Sequence, residues 1–408
     1  MLQKLINHLQ SYKTIGVFGY GKEGQSTHQF LNKYLSDTKV IIIDQQNGEN
    51  YLDALENCDL IIKSPGISLF KLGIEYTRYD FTSATELFIK YFKQNIIGIT
   101  GTKGKSTLAS LLYQVLQNAK KKTLLCGNIG VPVFEIIEKI EYDTIVVMEL
   151  SSHQLDNIQY SPHMAVLTNI YQDHLDYYKS LEFYIEAKLN IFKYQSVNDI
   201  AYIAHEDRRL NDVLKSQKII NIQSSCSSLE ICSKSFIHKD TISLVYMIAK
   251  RLMIDEKVII ETIANFTSLP HRIEYVNTID GKEFYNDSIS TIPEAAINAV
   301  QTFKDVEVLI LGGFNRGIDY SKLIEFLHTK DIPTLILISE VGKLIEGLLQ
   351  KSGYKGEMLY FQDLKKAMNY IDAKSQKGIY LFSPAASSFD QYKNFEERGE
   401  DFKKLINK

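Results

Sequence analysis

The sequence predicts an α/β fold with parallel sheets, and three observations carry that expectation. Short apolar runs recur along the chain, each followed by a polar or helix-like stretch. Two of them, Thr14–Phe18 and Asn95–Ile99, lead into glycine turns that open a helix, the layout of a phosphate-binding unit. Residues able to do chemistry gather just past the strand ends, where parallel sheets bind ligands. At 408 residues the chain is too long for one ordinary core, so two or three domains are expected.

Composition narrows the class. The chain is 45% hydrophobic and 23% charged, with a formal net charge of −3, so no nucleic-acid partner is expected. No apolar run reaches the length of a membrane span. Met1–Gln10 reads as a short amphipathic helix and not as a signal peptide. Cys58, Cys126, Cys226 and Cys232 have neither zinc nor disulfide spacing. A cytoplasmic protein without stable membrane insertion follows from these features, and a monomer is expected.

The first segment sets strand Thr14–Phe18 before Gly19-Tyr20-Gly21-Lys22-Glu23-Gly24, a G-x-G-x-x-G turn opening a helix at Gln25–Leu35. A second strand, Val40–Ile43, ends at Asp44. This pattern suits a diphosphate at a helix N-terminus and is not specific for NAD. Strand Leu60–Lys63 then ends in Ser64-Pro65-Gly66-Ile67, and a helix begins near Thr85.

The middle segment carries the strongest signal, Gly98-Ile-Thr-Gly101-Thr-Lys-Gly104-Lys105-Ser106-Thr107. Glycines let backbone N–H groups approach an anion, and the following helix adds unpaired donors. Lys105 can reach the outer phosphates of a nucleotide, while Ser106 or Thr107 can sit on Mg²⁺. The spacing departs from the common phosphate loop, because Ile99 stands at its first glycine position. Strand Thr144–Met148 ends in Glu149, a natural metal ligand beside such a loop, followed by Ser151-Ser152-His153-Gln154-Leu155. Strand Met164–Leu167 leads to Asn169, Asp173 and His174, candidates for a metal or phosphate role. A helical pattern, Leu181–Phe192, carries Lys188, and residues 223–240 read as loop and short strands.

The last segment opens at Leu269-Pro270-His271-Arg272. A hairpin is predicted from Ile273–Thr278 and Lys282–Asn286, turning at Asp280-Gly281. Pro293 fits the first turn of a helix over Ala295–Phe303. Strands follow at Glu307–Leu311, Thr334–Ile338, Met358–Tyr360 and Gly378–Phe382, then a tail helix anchored by Phe395, Phe402 and Leu405. Arg316, Ser383 and Ser388, past strand ends, can hold a carboxylate or phosphate.

Taken together, the chain resembles the Mur ligases, the ATP-dependent amide-forming enzymes of peptidoglycan precursor assembly, and among them the glutamate-adding branch. The loop from Gly98 to Thr107 is shared with the whole family and with folylpolyglutamate synthases. Glu149–Leu155, Leu269–Arg272, Asn286-Asp287-Ser288 and Ser383–Gly399 are more specific. The resemblance implies a three-domain Mur ligase architecture: a Rossmann-like UDP-binding domain over 1–92, a central P-loop ATPase domain over 93–268, and a Rossmann-like glutamate-binding domain over 269–408. It implies ATP and Mg²⁺ as cofactors, and UDP-N-acetylmuramoyl-L-alanine and glutamate as substrates. Gly21, Lys22, Glu23, Asp44, Gly66 and Asn128 would hold the UDP-sugar. Gly101, Thr102, Lys103, Gly104, Lys105, Ser106, Thr107, Asn265, Arg272 and Asp287 would hold ATP. Ser106, Glu149, His174 and a carbamylated Lys188 would serve the metal, with Lys105 as the catalytic cation. Arg316, Ser383, Ser388 and Phe389 would meet glutamate.

One position departs from the pattern. Most members of this branch that use D-glutamate carry a lysine after Asn-Asp-Ser, where this chain has Ile289. D-glutamate is favoured by the closing motif, with L-glutamate the alternative. A folylpolyglutamate-synthase-like ligase and a non-catalytic nucleotide-binding regulator are the other readings. An NAD dehydrogenase would leave the phosphate loop idle.

Overall fold

The computed structural model describes residues 1–171, 177–204, 210, 213–214, 218–221, 237–267 and 269–407. Its α/β class is as expected. The chain divides into two compact units, Met1–Cys232 with Lys239–Ala264, and Ser233–His238 with Asn265–Lys408. The main boundary therefore falls a few residues ahead of Pro270.

The first unit holds two parallel sheets. One has β1 (Thr14–Phe18), β2 (Lys39–Ile43), β3 (Leu60–Lys63) and β4 (Phe81–Thr82), in the order β2-β1-β3-β4. The other has β5 (Ile96–Thr100), β6 (Thr123–Gly127), β7 (Ile145–Glu149), β8 (Met164–Leu167), β9 (Ile200–Ile203) and β10 (Lys218–Asn221), in the order β10-β9-β8-β5-β7-β6. Strand β5 is buried along its whole length, which is why its sequence is an unbroken apolar run and not an alternating one.

Helix Ala84–Phe92 joins the two sheets. Ser83 caps it by accepting the Glu86 N–H, and its apolar face buries Leu87, Phe88 and Phe92. One core runs through Ile15 of β1, Phe88, Met148 of β7 and Leu189. Each fully buried side chain of this kind contributes roughly 1.5–3 kcal/mol, so the two sheets are fixed by a common apolar interior.

The second unit has β11 (Glu274–Ile279), β12 (Lys282–Asn286), β13 (Val308–Gly312), β14 (Thr334–Ile338), β15 (Glu357–Phe361) and β16 (Gly378–Phe382), in the order β11-β12-β16-β13-β14-β15. Strands β11 and β12 form the expected antiparallel hairpin, turned by Asp280 and Gly281 at φ 52° and 79°. The other neighbouring strands pair in parallel. Helices Pro293–Gln301, Ser321–Thr329 and Ser339–Lys351 supply one core through Ala296, Leu323 and Ile345. Helices Leu364–Ala373 and Phe395–Ile406 supply the other through Met368 and Phe402. The result is a helix–sheet–helix sandwich whose strand-end loops share one edge.

Two helices of the first unit have limits with a clear physical cause. The helix after the phosphate loop begins at Lys105, because Gly104, at φ 82°, turns the chain directly into its first turn. The apolar run Lys257–Ile263 lies inside helix Glu256–Asn265, where Ile259, Thr262 and Ile263 share the buried face. Asp173, His174, Cys226 and Cys232 lie outside the described residues, as does most of the segment read as loop at 223–240.

Candidate active site

The phosphate loop sits at the carboxyl end of β5, between β7 and β8. It is held from both flanks. Asn169, past β8, accepts the Lys103 N–H at 2.8 Å and donates to the Lys103 carbonyl at 3.1 Å. Thr168 donates to that same carbonyl at 2.6 Å. A Cβ on Gly101 would meet Thr168 Oγ1 at 1.9 Å, so only glycine permits this close packing. Lys105 Nζ donates to the carbonyls of Gly101 and Thr102 at 2.9 and 3.0 Å. Lys188 Nζ reaches the Gly101 carbonyl at 2.8 Å and lies 4.7 Å from the Tyr184 ring centroid. Two side-chain nitrogens thus converge on one carbonyl ahead of a helix N-terminus, and the Lys105 ammonium adds positive charge where an anion would bind.

Glu149 ends β7, in register with Ile99 of β5 and Gly127 of β6. It is completely buried. Asn128 Nδ2 donates to its Oε1 at 2.7 Å, and the Asn128 N–H donates to its carbonyl at 2.9 Å. Its Oε2 has no hydrogen-bond partner among the described residues. A buried carboxylate oxygen without a donor is costly unless a cation meets it. Together with the buried Ser106 hydroxyl in the first helical turn, it fits a hard divalent cation such as Mg²⁺.

The first glycine turn closes onto this region from the other sheet. Helix Lys22–Tyr34 starts after Gly21, leaving the N–H groups of its first turn outside the helical ladder. A Cβ on Gly24 would meet the Gly19 carbonyl oxygen at 2.0 Å, which explains the third glycine of the motif. A cavity of about 330 Å³ opens beside it, lined by Lys22, Glu23, Gly66, Asn128, His153 and Gln154 among others. Lys22 Nζ donates to the Gly130 carbonyl at 3.3 Å, and Gln154 Nε2 donates to Glu23 Oε1 at 2.6 Å. Burial pushes the Glu23 carboxyl up, with Gln154 and Lys63 opposing. Asn128 lines the cavity and also holds Glu149, so one side chain joins the cavity to the strand beside the phosphate loop.

In the second unit, Asp287 follows β12 and is buried. Ser383 Oγ donates to its Oδ2 at 2.7 Å, Ser290 Oγ donates to the same oxygen, and the Ile273 N–H donates to Oδ1 at 3.2 Å. Burial pushes the Asp287 carboxyl up to about 6, against these hydrogen bonds and the Arg272 charge. The Ile289 N–H donates to the His271 carbonyl at 3.2 Å, so the backbone there is fixed whatever the side chain. Arg398 is buried and donates to the carbonyls of Ala386, Ser387 and Ser288, tying the loop after β16 to the loop after β12. Burial pushes its guanidinium down to about 10.

Comparison with known proteins decides the family. Residues 99–259 match the Mur ligase middle domain. A UDP-N-acetylmuramoylalanine–D-glutamate ligase of Clostridium botulinum (strain Kyoto / Type A2) is 33% identical, covering 97% of this chain and 97% of its own. The chain belongs to the Mur ligase family. A second relative of the same name, from Clostridium novyi (strain NT), is 33% identical over 94% of this chain and 90% of its own. Among solved structures, UDP-N-acetylmuramate-alanine ligase MurC from Thermotoga maritima superposes with a TM-score of 0.61 at 18% identity, covering 97% of this chain and 99% of that one. MurF ligase from Thermotoga maritima, solved with ADP, gives 0.61 at 18%, covering 97% and 95%. These two share the fold.

For a Mur ligase, the sequence-predicted residues fall into three places. Gly101 through Thr107, Glu149 and Lys188 gather at the carboxyl edge of the second sheet. Lys22, Glu23, Gly66 and Asn128 line the cavity, whereas Gly21 and Asp44 are not among its lining residues. The Asp44 carboxylate instead accepts the N–H groups of Tyr20 and Gln46 at 2.7 and 3.1 Å. Asn265, Arg272, Asp287, Arg316, Ser383, Ser388 and Phe389 belong to the second unit. There Ser383 is engaged by Asp287, Ser388 is buried, and Phe389 is 61% exposed. Sequence reading assigned no role to Ser151, His153 or Gln154, which line the cavity. Their place two to five residues past Glu149 was the available signal. Tyr184, whose hydroxyl lies 2.8 Å from Thr102 Oγ1, gave no signal at all, since its helical position reads as core.

Proposed function

We propose that this Mur ligase joins D-glutamate to UDP-N-acetylmuramoyl-L-alanine at the expense of ATP, by way of an acyl phosphate. The observation that carries the proposal is the Asn128–Glu149 pair, which links a cavity of about 330 Å³ beside the first glycine turn to a buried carboxylate on the strand next to the phosphate loop. The relatives named for this reaction support the choice of substrates and of the D isomer. The same reading divides the chain into domains at 92/93 and 268/269, and places it in the cytoplasm as a monomer. No described helix is long and apolar enough to cross a membrane.

The substrate carboxylate attacks the γ-phosphorus, and the bond to the β-phosphate oxygen breaks to release ADP. Lys105 offsets the charge on the transferring group, aided by N–H groups of the loop. The glutamate amine, as its free base, then attacks the acyl carbon. The tetrahedral intermediate gives up its amine proton and collapses by breaking the carbon–oxygen bond, and phosphate leaves with that proton. Neither step needs a protein nucleophile, so the chain contributes by positioning. Mg²⁺, when bound, would neutralise phosphate charge, and Ser106, Glu149, His174 and carbamylated Lys188 would hold it. In the second unit, Asn265, Arg272 and Asp287 would contact the nucleotide, and Arg316, Ser383, Ser388 and Phe389 the incoming glutamate.

Parallel reactions with each glutamate isomer, the product mass checked in both, test this. The full chain, with UDP-N-acetylmuramoyl-L-alanine, ATP and Mg²⁺, is expected to form a product heavier by one glutamyl residue with D-glutamate, and to run about tenfold or more slower with L-glutamate. Turnover with L-glutamate alone would overturn the isomer. Turnover with neither would overturn the substrate assignment.

A further inference from the structure

The turn that brings Gly66 to the cavity is held by groups outside the machinery described so far. Its carbonyls are engaged by two side chains. Tyr177 Oη donates to the Pro65 and Ile67 carbonyls at 3.0 and 2.9 Å. Lys63 Nζ, buried at the end of β3, donates to the same Ile67 carbonyl at 3.0 Å and lies 3.4 Å from that of Ser64. Ser68 Oγ closes the loop by donating to the Tyr177 carbonyl at 3.2 Å. Tyr177 therefore bonds the turn through both ends of the residue.

The tyrosine ring also touches the cavity wall. It meets His153 edge-to-face at 4.1 Å, and His153 lines the cavity together with Pro65 and Gly66. Its neighbour Tyr178 stacks against the other side of this cluster, 5.7 Å from His153 and 5.6 Å from Tyr184. One side chain thus fixes two cavity-lining elements that come from different sheets, the turn after β3 and the segment after β7. Pro65 has no N–H and those of Ser64 and Ile67 donate to the Phe18 and Ser64 carbonyls, so among the described residues Gly66 is the member of the Ser64–Ile67 turn whose N–H is left for a ligand in the cavity.

We propose that Tyr177 is a positioning residue for the UDP-sugar: its hydroxyl clamps the Ser64–Ser68 turn so that Gly66 is presented to the ligand, and its ring holds His153 against the same cavity. The role deepens the function proposed above and rests on it. Among the described residues the contacts of Tyr177 are to Pro65, Ile67, Ser68, His153 and Tyr178 and not to the phosphate loop, so its loss is expected in the UDP-sugar only.

Tyr177→Phe removes the hydroxyl and keeps the ring. Steady-state kinetics with UDP-N-acetylmuramoyl-L-alanine, D-glutamate and ATP, plus calorimetric binding of the UDP-sugar without ATP, read its effect. The expected result is a rise of about five- to tenfold in both the KM and the Kd for the UDP-sugar, the scale of one or two net hydrogen bonds. Saturated kcat and the KM for ATP should stay within about twofold, and the rise should be larger in Tyr177→Leu, which also loses the His153 contact. UDP-sugar KM and Kd within about twofold of wild type would overturn the proposal, whatever happens to kcat. So would parallel losses in kcat and ATP KM, which mark general loosening. Wild-type protein that binds no UDP-sugar would instead overturn the function proposed above, before any variant is compared.

Discussion

Lys105→Ala is expected to lower ligation by roughly 10²- to 10³-fold while the fold survives. The lysine stands at the first turn of the helix after β5, with its ammonium on the carbonyls of Gly101 and Thr102. Those bonds hold it inside the loop, where a transferring phosphoryl group gathers charge. Removing one positioned donor from such a site typically costs about 10²–10³ in rate. The loss to stability is small by comparison, about 1 kcal/mol for each solvent-competed hydrogen bond, because the loop is still clamped by Thr168 and Asn169. Phosphate release, followed with circular dichroism on the same sample, checks both halves. Near-normal turnover would sink the phosphate-loop assignment.

Glu149→Gln should separate stability from activity. In the wild-type chain Oε1 is matched by Asn128, while Oε2 has no partner among the described residues. Replacing a buried, half-satisfied carboxylate with an amide removes a charge the interior does not favour, at a smaller penalty for one unpaired amide hydrogen set. Without divalent metal, the variant is therefore expected to be as stable as wild type or more so, by up to about 1–2 kcal/mol. Turnover should fall by about 10²-fold or more, since the amide is a poor ligand for a hard cation. The added stability that Mg²⁺ with ADP gives the wild type should also vanish. Denaturation with and without Mg²⁺ and ADP tests this. A variant that keeps metal-dependent turnover, or that loses several kcal/mol without metal, would assign Glu149 to the fold and not to the cation.

Some of this was legible in the chain and some was not, for reasons that differ by residue. Strands such as Thr14–Phe18 and Thr334–Ile338 appear where an apolar run predicts them, because buried parallel strands leave no polar positions to confuse the pattern. Gly101 and Lys105 were legible because tight turns and helix N-termini constrain residue type. Glu149 was legible as a strand-end acid, yet its bond to Asn128 was not, since twenty-one residues of chain separate them and only sheet register joins them. Asp44 sits at the expected distance from the glycine turn, yet its bonds to the Tyr20 and Gln46 N–H groups were not legible, because backbone donors do not show in residue identity. Tyr177 and Lys63 carried no signal: an aromatic residue in a polar stretch and a lysine closing a strand read as ordinary surface. Their partners are backbone carbonyls, which leave no trace in residue identity.

Oxygen-18 transfer tests the central chemistry most directly. UDP-N-acetylmuramoyl-L-alanine labelled in both oxygens of its free carboxylate is incubated with ATP, Mg²⁺, D-glutamate and the full chain. If the carboxylate attacks the γ-phosphorus, one labelled oxygen leaves with phosphate and the other stays in the new amide. One oxygen-18 per phosphate released, matched to ligated product, is the predicted result. Unlabelled phosphate alongside ligated product would contradict the acyl-phosphate route.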